Sequence, residues 1–415
     1  MKKIIFISLS IIINLTFTSC KTIDEKVTSS VITDNASSAD IVVSSMTTSQ
    51  SENVSHSAST AEITIGVDGI KHLDVKALLG ATNLFDIRMI DEVNAYILGI
   101  SDNQQVTTEG FLVWENILAK VNLETGEVYD IFRGYFTNDG RENMFVQRFQ
   151  DRSEMVFTGQ MLFYISENKL KDQRILEENR QREASFHAPS NTLVYVDDST
   201  LNLNLYDMES DSITLLYESV KNENGAVIQM PCHPYFNSDG NKVLFQKAGE
   251  TDLLYENIIG CDVNGKVLFE TDKLKRLSDV VYAAWLKEGF YTMQATDQSV
   301  DSPSGQATYF TIYDQNGAAK NRFMISGAIV GIQRSPNDST VLAFRMLEPD
   351  SVLHNALGVV DLLTGQANIV HHSKGIITSQ DISPSGKLLV WIEDHVIYTT
   401  KLAKVKSEAI SVTSW

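Results

Sequence analysis

Basic residues are scarce in this sequence. Its 415 residues include 34 Lys and Arg against 53 Asp and Glu, for a formal net charge of −19. Nucleic acids are bound by basic faces, and the densest basic stretch, 169–182, is diluted by Glu177 and Glu178. The composition therefore argues against a nucleic-acid partner. It predicts a soluble, self-repelling exterior, with calcium binding by acidic loops as the alternative.

The signatures of several enzyme classes are also absent. The chain contains no G-x-S-x-G elbow, no H-E-x-x-H, no C-x-x-C, no glycine-rich phosphate loop and no twelve-residue calcium loop. The stretch Ser238 to Gly240 lacks the spacing and the aromatic residue of a sialidase Asp-box. His371 and His372 are adjacent, and strand alternation would direct their rings to opposite faces. We therefore predict no catalytic residue, metal site or cofactor, and the sequence favours a non-enzymatic role while leaving activity open.

What the sequence does contain is a repeat. The stretch from Ser335 to Met346, SPNDSTVLAFRM, resembles the stretch from Ser383 to Asp394, SPSGKLLVWIED. In each, Ser-Pro with Asn-Asp or Ser-Gly predicts a turn, and a short apolar strand follows it. The strand recurs seven times at an average spacing of about 49 residues, within the range of propeller blades. The seven copies begin at Asn94, Glu154, Thr192, Lys242, Gly289, Thr340 and Lys387.

A second recurring piece, a strand, a tight turn and another strand, follows each copy. Gly126, Gly265, Gly317 and Gly365 supply the positive φ angles that tight hairpins need. With one inner strand before each unit, the repeat has four strands. The sequence therefore predicts an all-β fold, a β-propeller of seven four-stranded blades, with six or eight blades as alternatives.

The turn-and-strand element resembles the TolB-type or WD40-like repeat, whose core is Ser-Pro-Asp-Gly followed by an apolar strand. SPSG at Ser383 and SPND at Ser335 match best, and looser copies begin at His187 and Phe236. The alternation of turns and strands resembles this family over roughly residues 80–415. The Ser-Pro-Asp-Gly motif itself has a match, close or loose, in four repeats. The resemblance implies a propeller. TolB propellers usually have six blades, which differs from the count of seven made here.

The first twenty residues have the features of a secretory signal. Lys2 and Lys3 precede an apolar run from Ile4 to Phe17 that is too short to span a membrane comfortably, and small residues precede Cys20. The ending Phe-Thr-Ser-Cys resembles the lipobox of bacterial lipoproteins, with Phe17 where leucine is usual. The resemblance implies that Cys20 is lipidated after cleavage. The alternative is plain secretion with an unmodified cysteine.

These features divide the chain into three parts. We expect a lipoprotein signal peptide at residues 1–19, a lipidated Cys20 with a tether to residue 60, and a propeller at 61–415. Residues 21–60 are rich in Ser and Thr and have no sustained period, which predicts a flexible coil. A coil of this length spans about 35 Å root-mean-square. The expected location is therefore the cell membrane, lipid-anchored on its extracytoplasmic face.

Closure of the ring has two possible forms in this sequence. In the one we favour, the last repeat supplies all four strands itself and ends near Trp415, and the strand-like segment from Ile63 to Val67 lies outside it or begins the first blade. In the other, Ile63 to Val67 completes the final blade. A ring left open would expose unpaired strand edges.

The inner rim of the propeller is the predicted place for a ligand, because the first strand of each blade lines the channel. Side chains just before each turn are chemically mixed, and buried polar groups of this kind need partners. They form either part of a ligand site or ordinary packing with hydrogen bonds between blades. The candidates are His187, His233, Trp285, Arg334 and Asp381, accompanied by Cys232 and Gln380.

We also make predictions for two tryptophans and two cysteines. Trp391 lies within an apolar strand and is predicted to be core, whereas Trp114, followed by Glu115, is predicted to reach the surface. If Cys20 is lipidated, Cys232 and Cys261 remain as a possible disulfide. The strand pattern places those two on strands that are not neighbours, and bridging needs Cα atoms within about 7 Å.

Two hypotheses of function follow. The first is a membrane-anchored extracytoplasmic lipoprotein whose propeller binds a protein, peptide or glycan without catalysis. The second is a polymer-degrading hydrolase or lyase that combines carboxylates from different blades at the channel mouth. Paired carboxylates about 5 to 9 Å apart in a cleft would support the second.

Overall fold

A computed structural model describes most of the chain after residue 57. The described residues are 58–66, 69–106, 112–135, 144–149, 151–158, 161–176, 184–249, 255–271, 280–296, 306–332, 340–347, 355–404, 407–410 and 412–414. Internal contacts divide the chain into Met1–Val54 and Ser55–Trp415, and every described strand lies in the second unit. In the part of the chain described, no helix has both the length and the apolar character needed to cross a membrane.

The described strands form seven antiparallel sheets, and each sheet is one blade. The first elements are β1 (Ser59–Thr60), β2 (Ile63–Ile65), β3 (Lys71–Leu73) and the short helix α1 (Lys76–Leu79). Blade 1 follows with β4 (Ala81–Met89), β5 (Asn94–Val106), β6 (Leu112–Asn122) and β7 (Glu127–Tyr135). Blade 2 contains β8 (Phe145–Arg148), β9 (Glu154–Phe157), β10 (Met161–Ser166) and β11 (Lys169–Ile175). Blade 3 contains β12 (Ser185–His187), β13 (Thr192–Val196), β14 (Leu203–Asp207) and β15 (Ser212–Tyr217).

The remaining blades repeat this order. Blade 4 contains β16 (Val220–Lys221), β17 (Val227–Phe236), β18 (Lys242–Gly249), β19 (Tyr255–Asp262) and β20 (Val267–Glu270). Blade 5 contains β21 (Val280–Leu286), β22 (Gly289–Thr296), β23 (Ala307–Tyr313) and β24 (Ala319–Ser326). Blade 6 contains β25 (Ile329–Ile332), β26 (Val341–Leu347), β27 (Asn355–Asp361) and β28 (Ala367–His372). Blade 7 contains β29 (Ile377–Ile382), β30 (Leu388–Glu393) and β31 (Val396–Lys401), and the chain ends with β32 (Glu408–Ala409) and β33 (Val412–Ser414).

Buried apolar clusters join the blades into a ring. Separate clusters link blade 1 to blade 2, blade 2 to blade 3 and blade 3 to blade 4, and one large cluster links blades 4, 5 and 6. Two further clusters link blade 6 to blade 7 and blade 7 back to blade 1. Because the packing returns to the first sheet, the sheets form a closed seven-bladed β-propeller. The predicted all-β fold and blade number are confirmed, with four or five strands in each blade.

The repeated strands occupy the same place in every blade. In every blade the recurring segment follows the first long strand and precedes a hairpin; in blade 4 that first long strand is β17, and the two-residue β16 pairs with its other edge. The four hairpin glycines have φ between +72° and +82°, a region that L side chains rarely adopt. Trp391 is fully buried and Trp114 is 43% exposed, as predicted. Local turn chemistry and strand composition are therefore sufficient to place these elements.

Ring closure differs from the form we favoured. The last repeat supplies only three strands of blade 7, and the outer positions are taken by β3, which pairs with β31, and by β2 beyond it. Leu73 lies opposite Ile397, and both are fully buried. The prediction that the last repeat contains four strands was wrong, and the alternative holds for Ile63–Ile65; Val67 lies outside the described residues. Burying Leu73 against Ile397 joins the two ends of the domain within one sheet.

The C-terminal residues lie on other blades. After Lys401 the chain forms a 3₁₀ turn at Leu402–Lys404, and β32 and β33 then pair with β28 of blade 6 and β24 of blade 5. At the other end β1 pairs with β7, so the described pairing begins at Ser59, two residues before the expected domain start.

The two described cysteines are buried in blade 4 and are not joined by a disulfide. Cys232 lies on β17 and Cys261 on β19, with β18 between them, so the prediction that they are not on neighbouring strands is confirmed. Burial raises the pKa of the Cys261 thiol to about 12, which keeps it protonated and unreactive.

Candidate functional site

Four of the predicted rim residues lie near the ends of the first long strands of their blades. Every first strand runs in the same direction within its blade and is followed by a turn into the antiparallel second strand. His187, His233, Trp285 and Asp381 are thus brought to one end of the propeller, on blades 3, 4, 5 and 7. Arg334 lies outside the described residues.

His187 joins blade 3 to blade 4. Its Nε2 lies 3.2 Å from the carbonyl oxygen of Ser238, which can only accept, so Nε2 carries the proton and Nδ1 accepts from the Ser190 hydroxyl at 2.6 Å. Burial lowers the pKa of His187 below its ordinary value, which favours the neutral ring. Gly240, at φ +66°, lies so close that a Cβ there would be 2.1 Å from Nδ1 of His187. The imidazole of His187 therefore links blade 3 to blade 4 through a hydrogen bond.

Trp285 makes an equivalent bond from blade 5 to blade 4. Its indole N–H donates to the carbonyl oxygen of Tyr235 at 3.1 Å, and the ring packs edge-on against Phe269 and Phe290. The side chain is buried, so the indole is part of the apolar cluster that these blades share.

His233 differs from the other rim candidates. It is half-buried and has φ of +50°, at a register shift where β17 and β18 skip from Cys232 to Tyr235. A left-handed conformation at a residue with a side chain costs about 1 kcal/mol or more, and bulges redirect the side chains they carry. Backbone strain of this kind collects at functional positions, so His233 is the rim candidate that geometry best supports.

Asp381 lies at the seam between blade 7 and blade 1. Its two carboxylate oxygens accept from the amide nitrogens of Met89 and Ile382, each at 2.7 Å. Burial raises the pKa of Asp381 to about 7, and the nearby guanidinium of Arg88 opposes that rise. The adjacent Gln380 is buried, and its Oε1 accepts no hydrogen bond from the residues that the structure describes.

His187, Trp285 and Asp381 each form a hydrogen bond to a neighbouring blade. This arrangement is the one expected if the rim side chains serve packing and bonding between blades. Contact of any of these side chains with a ligand stays a prediction.

The described residues include no group of three or more His, Cys, Asp or Glu placed to hold a metal ion. The two adjacent histidines contact different carboxylates. Nε2 of His371 lies 2.8 Å from Glu393, and Nε2 of His372 lies 3.6 Å from Glu408.

Glu154 and Glu393 are buried carboxylates that join blades and were not identified from the sequence. Glu154, at the start of β9, joins blade 2 to blade 1, and Glu393, at the end of β30, joins blade 7 to blade 6. A charged residue inside the apolar stretches EMVF and LLVWIE was the available signal. It pointed equally well to a solvent-exposed strand end, because Lys120 and Tyr96, which bond to Glu154, and His371, which bonds to Glu393, come from the neighbouring blade.

Glu393 is held by five donors. Its oxygens accept from Nε2 of His371 at 2.8 Å, the Ser373 hydroxyl at 2.7 Å, the indole of Trp391 at 3.2 Å, and the amides of Lys374 and Gly375 at 3.1 Å each. Burial alone would raise the pKa of Glu393, but the bonds from His371, Ser373 and Trp391 outweigh it and hold the pKa at about 2. The carboxylate is therefore ionised in the folded protein under all ordinary conditions.

A pH dependence of stability follows from Glu393. Its folded pKa of about 2 lies below the ordinary 4.5, so the folded state loses this stabilisation as pH falls from 4.5 towards 2. We expect Glu393→Gln to lower the free energy of unfolding at pH 6, and the difference from the unmodified chain to shrink in urea titrations at pH 4 and pH 3. Glu209→Gln, at an exposed position, is the control. A difference that stays constant with pH would contradict the assignment.

Comparisons with known proteins identify no family. No protein-family model matches the chain, and no curated protein is similar to it in sequence. Among solved structures, 591 chains match it. One is hydrazine synthase of Kuenenia stuttgartiensis, which is 12% identical, with a TM-score of 0.47, over 81% of this chain and 96% of that one. At that identity and score the likeness carries no argument about activity, and the propeller assignment rests on the strand order.

Proposed function

We propose that this protein is an extracytoplasmic lipoprotein, anchored through Cys20, whose propeller binds a protein, peptide or glycan without catalysis. The observation that carries the proposal is the order of the chain. A lipobox-like ending at Cys20 is followed by a Ser/Thr-rich segment and then by a closed propeller. The sequences SPND at Ser335 and SPSG at Ser383 support kinship with TolB-type or WD40-like repeats.

The position of the first described strands supports this role. β1 and β2 lie on the outer edges of blades 1 and 7, so the chain before residue 59 joins the ring at its circumference. Channel mouths and the loops around them are the usual binding faces of propellers.

The rim is the proposed ligand face, and His233 is its central residue. His187, Trp285 and Asp381 hold the surrounding blades in place through their bonds between blades. A half-buried imidazole on a bulge can then present a donor or an acceptor to a ligand, depending on its tautomer. Arg334, which follows β25 in the sequence, stays a predicted member of this face.

Metabolic labelling tests the anchor. We expect the full chain, made in a bacterium with lipoprotein-processing enzymes, to incorporate an alkyne-tagged palmitate and to sediment with membranes. Cys20→Ser should lose the label and move to the soluble fraction, whereas Cys232→Ala should keep both properties because that thiol is buried. A Cys20→Ser chain that keeps the label or still sediments with lipid would overturn the anchor.

The binding role is tested with the released protein. We expect the Cys20→Ser chain to retain a defined macromolecule from cell-surface extracts, and the additional change His233→Asn to reduce its recovery. Asparagine tolerates the left-handed backbone at this position and removes only the imidazole. Equal recovery by both chains would reject the rim as the binding face. Recovery of nothing across several growth conditions would reject the binding role itself.

A further inference from the structure

The outer edges of the blades fall into two groups. Blades 5, 6, 7 and 1 each end in a fifth strand, supplied by β33, β32, β2 and β1. All four come from the two ends of the domain and are held by main-chain pairing. The chain therefore covers four consecutive outer edges by adding short extended segments to them.

The other three blades have no such cover among the described residues. The outermost strands there are β11, β15 and β20 of blades 2, 3 and 4. An outermost strand presents main-chain N–H and C=O groups that can pair with a further strand. Proteins usually protect such edges with charged side chains, proline or a short strand length.

Of these three edges, β15 is the least protected. β11 carries four charged side chains, Lys169, Lys171, Asp172 and Arg174, and β20 is four residues long and carries Glu270. β15, with the sequence SITLLY, has no charge and no proline. Its register shift lies at Leu216, so Ser212 to Leu215 pair regularly with β14.

Two exposed aliphatic side chains lie beside this edge. Ile213 is 52% exposed and Leu215 is 50% exposed. They lie opposite Tyr206 and Asn204, which are two residues apart on β14, so both aliphatic side chains point to the same face of blade 3. An added strand with aliphatic residues at alternate positions would pack against this pair while its main chain bonds to the edge.

The charges around β15 determine which strand fits. Exposed Glu209 and Asp211 precede it, and exposed Glu218 follows it. Antiparallel pairing of two copies, with Ser212 opposite Tyr217, would place Asp211 of each copy opposite Glu218 of the other, which is repulsive. The net charge of −19 adds to that repulsion. The flanks therefore favour a partner segment with basic residues at both ends.

We propose that the outer edge of β15 is a docking site for an extended segment of a partner protein, with alternating aliphatic residues and Lys or Arg at each end. The segment adds as a fifth strand of blade 3, as the chain's own ends do on blades 5, 6, 7 and 1. This surface is separate from the channel rim, so the two sites are tested independently.

A synthetic peptide tests the site on the whole Cys20→Ser chain. We expect fluorescent Lys-Arg-Val-Thr-Val-Thr-Val-Arg-Lys to bind saturably and to slow amide hydrogen exchange at 212–217. Leu215→Lys should weaken binding at least tenfold. Leu363→Lys, at an exposed leucine in a hairpin turn of blade 6, should leave binding unchanged. A peptide with Glu and Asp in place of the basic residues should bind at least tenfold more weakly than the basic one.

Each contrary result overturns the proposal. Equal binding by the Leu215→Lys variant, or equal binding of the basic and acidic peptides, would show that the peptide does not bind at the edge of β15. Slow exchange, in the chain alone, of those amides of 212–217 that do not donate to β14 would show that its own residues already cover the outer edge of β15. A dimer that Leu215→Lys dissociates would show that a second copy is the occupant. Thermal unfolding of each variant by circular dichroism confirms that the compared chains are folded.

Discussion

Replacing Glu154 by alanine is expected to lower the free energy of unfolding by about 3–5 kcal/mol, the range for removing one partner of a buried ion pair. Glu154 accepts from Nζ of Lys120 at 2.7 Å, from the Tyr96 hydroxyl at 2.6 Å and from Nη2 of Arg148 at 2.6 Å. These donors hold the pKa of the carboxyl below its ordinary value although burial opposes them. Alanine would leave the buried Lys120 ammonium facing an uncharged cavity between blades 1 and 2.

Urea titration of the Cys20→Ser chain measures the effect of Glu154→Ala. Lys320→Ala is the matched control, because Lys320 pairs with Asp314 at 3.0 Å on the surface and is mostly exposed. We expect the control to change stability by less than about 0.5 kcal/mol. The double change Glu154→Leu with Lys120→Met should recover much of the loss, since it removes both charges at similar volume. A loss below about 1 kcal/mol for Glu154→Ala would contradict the buried network.

Replacing Leu73 by alanine is expected to lower the free energy of unfolding by about 2–5 kcal/mol, the range for truncating a buried leucine. Leu73 is fully buried in the cluster that joins blades 7 and 1, together with Val390, Ile392 and Ile397. It lies on β3, the strand through which the N-terminal part of the domain completes the last blade. The variant therefore weakens both the core and the closure of the ring.

The same titration with Ile65→Ala is the control for Leu73→Ala. Ile65 lies on the neighbouring β2 but is 65% exposed, so we expect a change within about 0.5 kcal/mol. Amide exchange should also become faster along β31 in Leu73→Ala and remain unchanged in Ile65→Ala. If both variants behaved alike, β3 would not be the strand that completes blade 7.

Much of the fold could be predicted because its signals are local. A proline and a glycine set a turn, alternating aliphatic and aromatic residues form the strand after it, and the repeat makes each blade resemble the next. Trp391 could be assigned to the core from its apolar neighbours, and Gly126 and Gly317 to hairpin turns from their residue type. Each of these assignments depends on residues a few positions apart.

The candidate site was less predictable, because its contacts are made between blades. The sequence indicated that polar side chains end the first strands. It did not indicate that His187 bonds to Ser238 or Asp381 to Met89, since the two members of each pair are far apart in the chain. Glu154 and Glu393 were missed for the same reason. His233 became distinct from its neighbours only through its backbone conformation.

The amino-acid sequence by itself determined the repeating unit and the hairpin turns and favoured seven blades over six or eight, because each follows from neighbours along the chain. Only the tertiary structure decided how the ring closes, which carboxylates are buried and which outer edges are covered. Those outcomes depend on which distant segments meet. The short stretches at residues 63–73 and 408–414 carry too little pattern of their own to specify a partner, and their places are set by the apolar surface and the main-chain groups that the assembled blades leave to be covered.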